Sequence, residues 1–269
     1  EDVPLQSRRP IQGYQFIQSA FDGGKASYHA LQVKVERRYT RGLYFLNAFT
    51  WSKAEDNASG HLETANGDNS RVNYRDIDGE WGTSGYNQPI NNTTTVVWEL
   101  PFGRDRRWAN DLNPVLEGIV RGWRLTAINT MTSGLPVNLS YSPSSTFSVS
   151  GAPTYRHNLV GDVYGDRTIT NYFNKDNVVI PTDRTQPFGD APRNVARGPA
   201  IYTLDLGLHK GFGLGLGDSR LEFRIEAFNA LNKTNFGAPN GNRSATAFGT
   251  ITSLSTPPRQ IQLGLKVDF

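Results

Sequence analysis

The chain has no cysteine and a single methionine in 269 residues. Without thiols there is no disulfide scaffold, no thiolate metal site and no cysteine nucleophile. Long apolar runs are missing too. None approaches the ~20 residues that a membrane-spanning helix needs, and mean hydropathy is -0.50. A helical membrane protein is therefore excluded. A membrane β-barrel is not, because its strands are polar at alternate positions. Neither charge dominates: 28 basic residues face 25 acidic ones, for a net +3. That balance gives no argument for nucleic acid. No initiating Met, charged segment or apolar segment marks a signal peptide. The opening Glu1-Asp2-Val3-Pro4 reads as loop. It leads us to expect a processed N-terminus or a cut within a longer protein.

Catalytic signatures are also lacking. The four histidines, His29, His61, His157 and His209, are scattered, with no HExxH or paired metal spacing. There is no GxSxG elbow and no GxxxxGK[ST] phosphate loop. Gly211-Phe212-Gly213-Leu214-Gly215-Leu216-Gly217 is glycine-rich but lacks the strand-to-helix setting of a nucleotide loop. It reads as a tight turn. No enzymatic activity, catalytic residue or cofactor is expected.

What is present is alternation. Ile261, Leu263, Leu265, Val267 and Phe269 fall on one face of a terminal strand, and Gln260, Gln262, Gly264, Lys266 and Asp268 on the other. The same period of two runs through Leu31–Val35, Thr94–Leu100, Tyr202–Leu208 and Leu221–Ala227. It is less clean in Gly42–Lys53 and Gly122–Ser133. About seven strands follow. Arg220, Glu222, Arg224 and Glu226 make a charged row of alternating sign. Such a row fits either the wet interior of a wide barrel or the solvated face of a sandwich.

The connections alternate in length. Tyr39–Gly42, Pro101–Val120 (with a short helix expected over Asn113–Val120) and Gly211–Ser219 lie at one end of the strands. Ala54–Ile90, Ser140–Ala200 and Lys233–Pro258 are long and lie at the other. Short turns at one end and long loops at the other fit an outer-membrane barrel. Tyr39, Phe102, Trp108, Trp123, Phe212 and Phe269 fall at the short-turn ends, and Tyr28, Trp51, Tyr202 and Phe236 near the long loops. They read as two interfacial girdles or as rings capping any β core.

An ordered series of local motifs then runs nearly end to end. It includes Ser27–Val33, Arg41-Gly42-Leu43, Thr50–Lys53, Glu99–Gly103, Gly122-Trp123-Arg124 and Ser133-Gly134-Leu135-Pro136. It continues with Arg193-Asn194-Val195, Arg197-Gly198-Pro199, Phe223–Asn229, Phe236-Gly237, Phe248–Ile251 and Arg259–Gln262. In this series the chain resembles the C-terminal part of TonB-dependent outer-membrane transporters, specifically the Oar-like group of acidobacterial type. Members of that group carry a carboxypeptidase-regulatory-like domain at the N-terminus. The resemblance implies an all-β fold: an antiparallel transmembrane barrel segment, about seven of roughly 22 strands, with long extracellular loops and short periplasmic turns. Residues 1–269 would be the C-terminal part of one barrel domain, with no second domain and with the plug and earlier strands elsewhere.

The implied setting is the bacterial outer membrane, and the implied function is import of a substrate. Partners would be outer-membrane lipid, the TonB complex through the missing N-terminal region, an unknown imported substrate, and the barrel-assembly machinery through the closing strand Ile261, Leu263, Leu265, Val267 and Phe269. No nucleic acid is expected. Substrate-contact candidates lie in the longest loop: Tyr155, Arg156, His157, Tyr164, Tyr172 and Phe173. Their other reading is that they pack the loop onto itself. Asp76, Asp78 and Glu80 resemble part of a calcium loop, but Tyr74 stands where an oxygen ligand is needed. A solvated acidic loop, with Glu55, Asp56, Glu63 and Asp68, is the other reading. Two different functions stay open: a β-rich surface or structural protein without transport, and a soluble β-sandwich binding module or enzyme.

Overall fold

The computed structural model describes residues 3–14, 23–59, 73, 76–144, 155–183, 185–214 and 219–269. His61, Glu63, Asp68, Tyr74, Gly215, Leu216 and Gly217 lie outside them. Seven long strands form one antiparallel sheet. They are β1 (Ala26–Thr40), β2 (Leu43–Asp56), β3 (Ile90–Glu99), β4 (Trp123–Thr132), β5 (Ile201–Gly213), β6 (Arg220–Phe228) and β7 (Gln260–Asp268). Each pairs with its neighbour in sequence, so the sheet is a simple meander. β1 and β7 are its two edges. The two-residue strand Gly82–Thr83 adds to the end of β2. No helix among the described residues is long and apolar enough to cross a membrane.

The register extends the sequence alternation across all the strands. Leu263 stands opposite Ile225, Ile225 opposite Leu208, Leu208 opposite Leu125, Leu125 opposite Trp98 and Trp98 opposite Leu43. One face is therefore mainly apolar. The other carries Arg124, His209 and Arg224 in one row, with Thr126 and Glu222 beside them. Cross-strand apolar pairs of this kind are the unit of sheet stability.

The short connections owe their form to local chemistry. Arg41 and Gly42 both have positive φ, 53° and 79°, so β1 and β2 close in a two-residue turn whose twist suits the hairpin. The expected helix is found as α1 (Pro114–Val120), with the Asn113 side chain accepting from the Leu116 N–H at 2.9 Å. A bulge between Arg37 and Thr40 breaks the alternation at the foot of β1. It turns Tyr39 to the side of the sheet that carries Glu99. Tyr28 shares the polar face with Ala54. These two rings thus belong to the polar side, not to an apolar girdle.

The core is not in the sheet. Val137, Leu139, Val163, Tyr172, Phe173, Val178, Ala196 and Phe248 form one buried cluster, and Tyr141 and Tyr155 a second beside Ile180 and Phe188. All belong to the long connections. They fold into a cap over the long-loop end of the sheet.

Candidate functional site: the polar face and the loop cap

Two recesses open on the polar face. The first lies at the cap end and has a volume of about 290 Å³. Tyr28, Gln32, Thr50, Ser52, Tyr86, Asn87, Gln88 and Asn91 line it, so it offers amides, hydroxyls and two rings but no charge. The second, also about 290 Å³, lies at the short-turn end among Glu99, Arg106, Arg124, His209, Arg220, Glu222 and Asp268. Its centre is the Glu222 carboxylate. That group accepts from Arg124 Nη2 at 3.2 Å and from Arg224 Nε, and lies 3.4 Å from His209 Nδ1. His209 Nε2 in turn lies 3.2 Å from the Thr126 hydroxyl. Gly207 makes room for that contact: a Cβ there would stand 2.4 Å from Thr126 Oγ1 and 2.9 Å from His209 Nε2. The arrangement is a wet, charged wall that can hold polar groups.

The cap is fastened to the sheet by polar side chains. Arg193 donates to both the carboxylate and the backbone carbonyl of Asp56, the last residue of β2. Arg156 pairs with Glu80 in a second buried ion pair. Asn87 Oδ1 accepts from the Ala54 N–H at 3.0 Å. Asn235 brackets Tyr202 at the head of β5, accepting from its N–H and donating to its carbonyl, both at 2.9 Å. Gly134 allows two loop backbones to touch, since a Cβ there would lie 1.9 Å from the Gly198 carbonyl oxygen. Arg197 Nη1 then bridges the carbonyls of Asn87 and Gly134 at 2.7 and 3.2 Å.

The six loop candidates fall in this cap. Tyr155, Arg156, His157, Tyr172 and Phe173 are buried, and Tyr164 is half-buried with the Arg167 guanidinium 4.0 Å above its ring. The structure brings Tyr164, Tyr172 and Phe173 into one aromatic group, with centroids 5.3–6.2 Å apart. Tyr155 and His157 both pack against Tyr141, at 5.9 and 5.6 Å. Burial holds the His157 imidazole down to about 4 and pushes the Tyr141 phenol up to about 12. The Tyr141 hydroxyl donates to the Pro187 carbonyl at 2.8 Å.

The acidic candidates are engaged with protein. Asp76 Oδ1 accepts from the Gly79 N–H at 2.9 Å, Asp78 pairs with Lys25 Nζ at 2.9 Å, and Glu80 takes both Arg156 and the Asn73 N–H. No three His, Cys, Asp or Glu residues gather as a metal site among the described residues.

Sequence reasoning did not single out Asp56, Asn87 and Asn235 as fasteners, or the amides of the first recess. The motifs Ser133–Pro136, Arg193-Asn194-Val195 and Arg197-Gly198-Pro199 were visible signals. Their shared task, joining cap to sheet, needed the fold.

Residues 2–262 match the model of a protein family described as an outer membrane beta barrel domain. No curated protein and no solved structure matches the chain.

Proposed function

Since the chain belongs to the outer membrane β-barrel family and its protein resides in the bacterial outer membrane, we propose that it is part of a TonB-dependent receptor importing a substrate. The apolar face then meets lipid and the polar face meets the lumen. The seven-strand sheet is an arc of a larger barrel, of the order of 22 strands, plugged by a region outside this chain. That region makes the TonB contact, and β7 presents Ile261, Leu263, Leu265, Val267 and Phe269 to the assembly machinery. The role is binding and passage rather than catalysis. Of the six loop candidates, half-buried Tyr164 contacts ligand directly, while the five buried ones shape the cap.

One observation carries this reading: a charged and amide-rich inner face, with two recesses, lies under a folded cap. A barrel that only displayed a surface would have no need of such a wall. The test is accumulation of labelled siderophores, oligosaccharides and peptides by cells with and without the protein. Accumulation of one class, abolished by a protonophore and by loss of TonB, is the expected result. Uptake indifferent to both would overturn it. The cap's own core favours a second reading, a surface-displayed structural module. No accumulation of any class would select that reading.

A further inference from the structure

Besides the cations Arg37, opposite Phe45, and Lys210, opposite Phe223, the apolar face carries a cluster of uncharged polar side chains. Asn47, Asn92, Thr94 and Asn129 come from three adjacent strands and share that face. Asn47 stands opposite Thr94, and Thr94 opposite Asn129, while Asn92 is opposite Phe49. Apolar outward residues continue on both sides: Phe45 and Phe49 around Asn47, Ala127 and Met131 around Asn129, Val96 and Ile90 around the Thr94/Asn92 pair. The patch therefore sits within the band that faces hydrocarbon, not at its rim.

Its hydrogen bonding is incomplete. Asn47 Nδ2 donates to Asn92 Oδ1 at 2.9 Å and to Thr94 Oγ1 at 2.8 Å. Asn129 Nδ2 donates to the Thr203 carbonyl at 3.1 Å. Asn47 Oδ1, Asn129 Oδ1 and Asn92 Nδ2 have no hydrogen-bond partner among the described residues. In water that would mean nothing. In hydrocarbon each such group is costly, so intramembrane polar clusters mark contacts with protein.

We infer that this patch is the surface through which two copies of the protein associate side by side in the outer membrane. The occupant follows from two facts. Free acceptors on Asn47 and Asn129 beside a free donor on Asn92 make the patch complementary to itself. Every barrel of one kind also inserts in the same direction, so a two-fold axis between copies must run along the membrane normal, and that axis brings a patch onto its own copy. Acyl chains offer neither donor nor acceptor. The inference rests on the outer-membrane location and not on transport.

The test uses the absence of cysteine from these 269 residues. Asn47→Cys and Asn129→Cys are produced singly in the whole protein, in the outer membrane, with Leu265→Cys on β7 as an equally outward control. Membranes are oxidised with copper phenanthroline and run without reductant. A disulfide requires Cα atoms within about 7 Å. The expected result is a species of twice the protein's mass from Asn47→Cys or Asn129→Cys, at least ten-fold above Leu265→Cys. Yields equal to the control, or a cross-linked species of any other mass, would overturn the inference. A second arm replaces Asn47, Asn92 and Asn129 together by Leu. Loss of the dimer on mild electrophoresis, with the heat-modifiable folded band retained, supports the inference. A persisting dimer refutes it. If the triple variant does not assemble, the cysteine arm still decides.

Discussion

The cap and the sheet are built by opposite rules. Every described side chain that is essentially fully buried belongs to the long connections, apart from Asp56 at the very end of β2. The strands bury almost nothing. Ile261, Leu263 and Leu265 are 66–68% exposed, and the apolar face beside them has no cover among the described residues. A soluble protein does not leave so large an apolar surface bare. The cap is thus a small globular unit with a water-facing logic, while the sheet, on the proposed reading, has two solvents, hydrocarbon on one side and a wet lumen on the other. The same chain needs both, and one substitution should do very different things in the two regions.

The largest effect is expected at the Arg193–Asp56 fastener. Both side chains are 1% exposed. Arg193→Leu leaves the Asp56 carboxylate buried without its partner, which costs about 3–5 kcal/mol. Limited proteolysis of folded protein in membranes should cut the 140–200 loop at least a hundred-fold faster. The heat-modifiable band that reports the sheet should remain. If sheet and cap are lost together, the two regions are one cooperative unit and the comparison breaks.

The sheet has its own test. Leu265→Arg puts a charge on the hydrocarbon side of β7 and should cost about 2–4 kcal/mol. Gln262→Arg, three residues away on the lumen side, should be nearly neutral. Urea titration of protein refolded in liposomes measures both. Equal costs would mean that the lipid-facing side is misassigned.

Much of this division was legible in the sequence. Period two gave the strands and their faces, and the lengths of the connections gave the two ends. The Asn113–Val120 helix was legible too, from an Asn cap followed by Pro. The cap was not. Its contacts join residues far apart in the chain, as with Arg193 and Asp56, 137 positions from one another. Its apolar residues fall in ones, twos and threes among polar ones, so no periodicity announces a core. Tyr39 shows a second limit: a one-residue bulge reverses a face, and nothing in Arg37-Arg38-Tyr39-Thr40 signals it. The candidate loop was readable as important. Which of its residues look inward was not.

A smaller effect follows from His157. Its folded-state pKa is depressed from about 6.5 to about 4 by burial among Leu139, Tyr141 and Phe248, with Arg243 nearby. The unfolded cap therefore binds more protons between those values. The cap's stability is fully present above pH 6.5 and falls by roughly 1 kcal/mol per pH unit as pH drops toward 4. Protease susceptibility of the cap should rise across that window, and His157→Phe should flatten the dependence. The strands should show no matching change.

The smallest effect sharpens the comparison most, because it repeats the first experiment in the other region. Glu222 on the lumen wall also pairs with arginine, but Arg124, Glu222 and Arg224 are 41, 23 and 35% exposed. Water and salt screen these pairs, and two arginines with His209 share one carboxylate, so no cation is left stranded in a dry site. Glu222→Gln should therefore cost no more than about 1 kcal/mol, and less at high salt. Arg193→Leu should be insensitive to salt, because neither partner meets solvent. Measured side by side in urea across a salt series, the two variants ask whether carboxylate–arginine chemistry is fixed by its residues or by its surroundings. A salt-independent loss of several kcal/mol at Glu222 would mean that the polar face is as dry as the cap, and that it packs against protein instead of opening onto a passage.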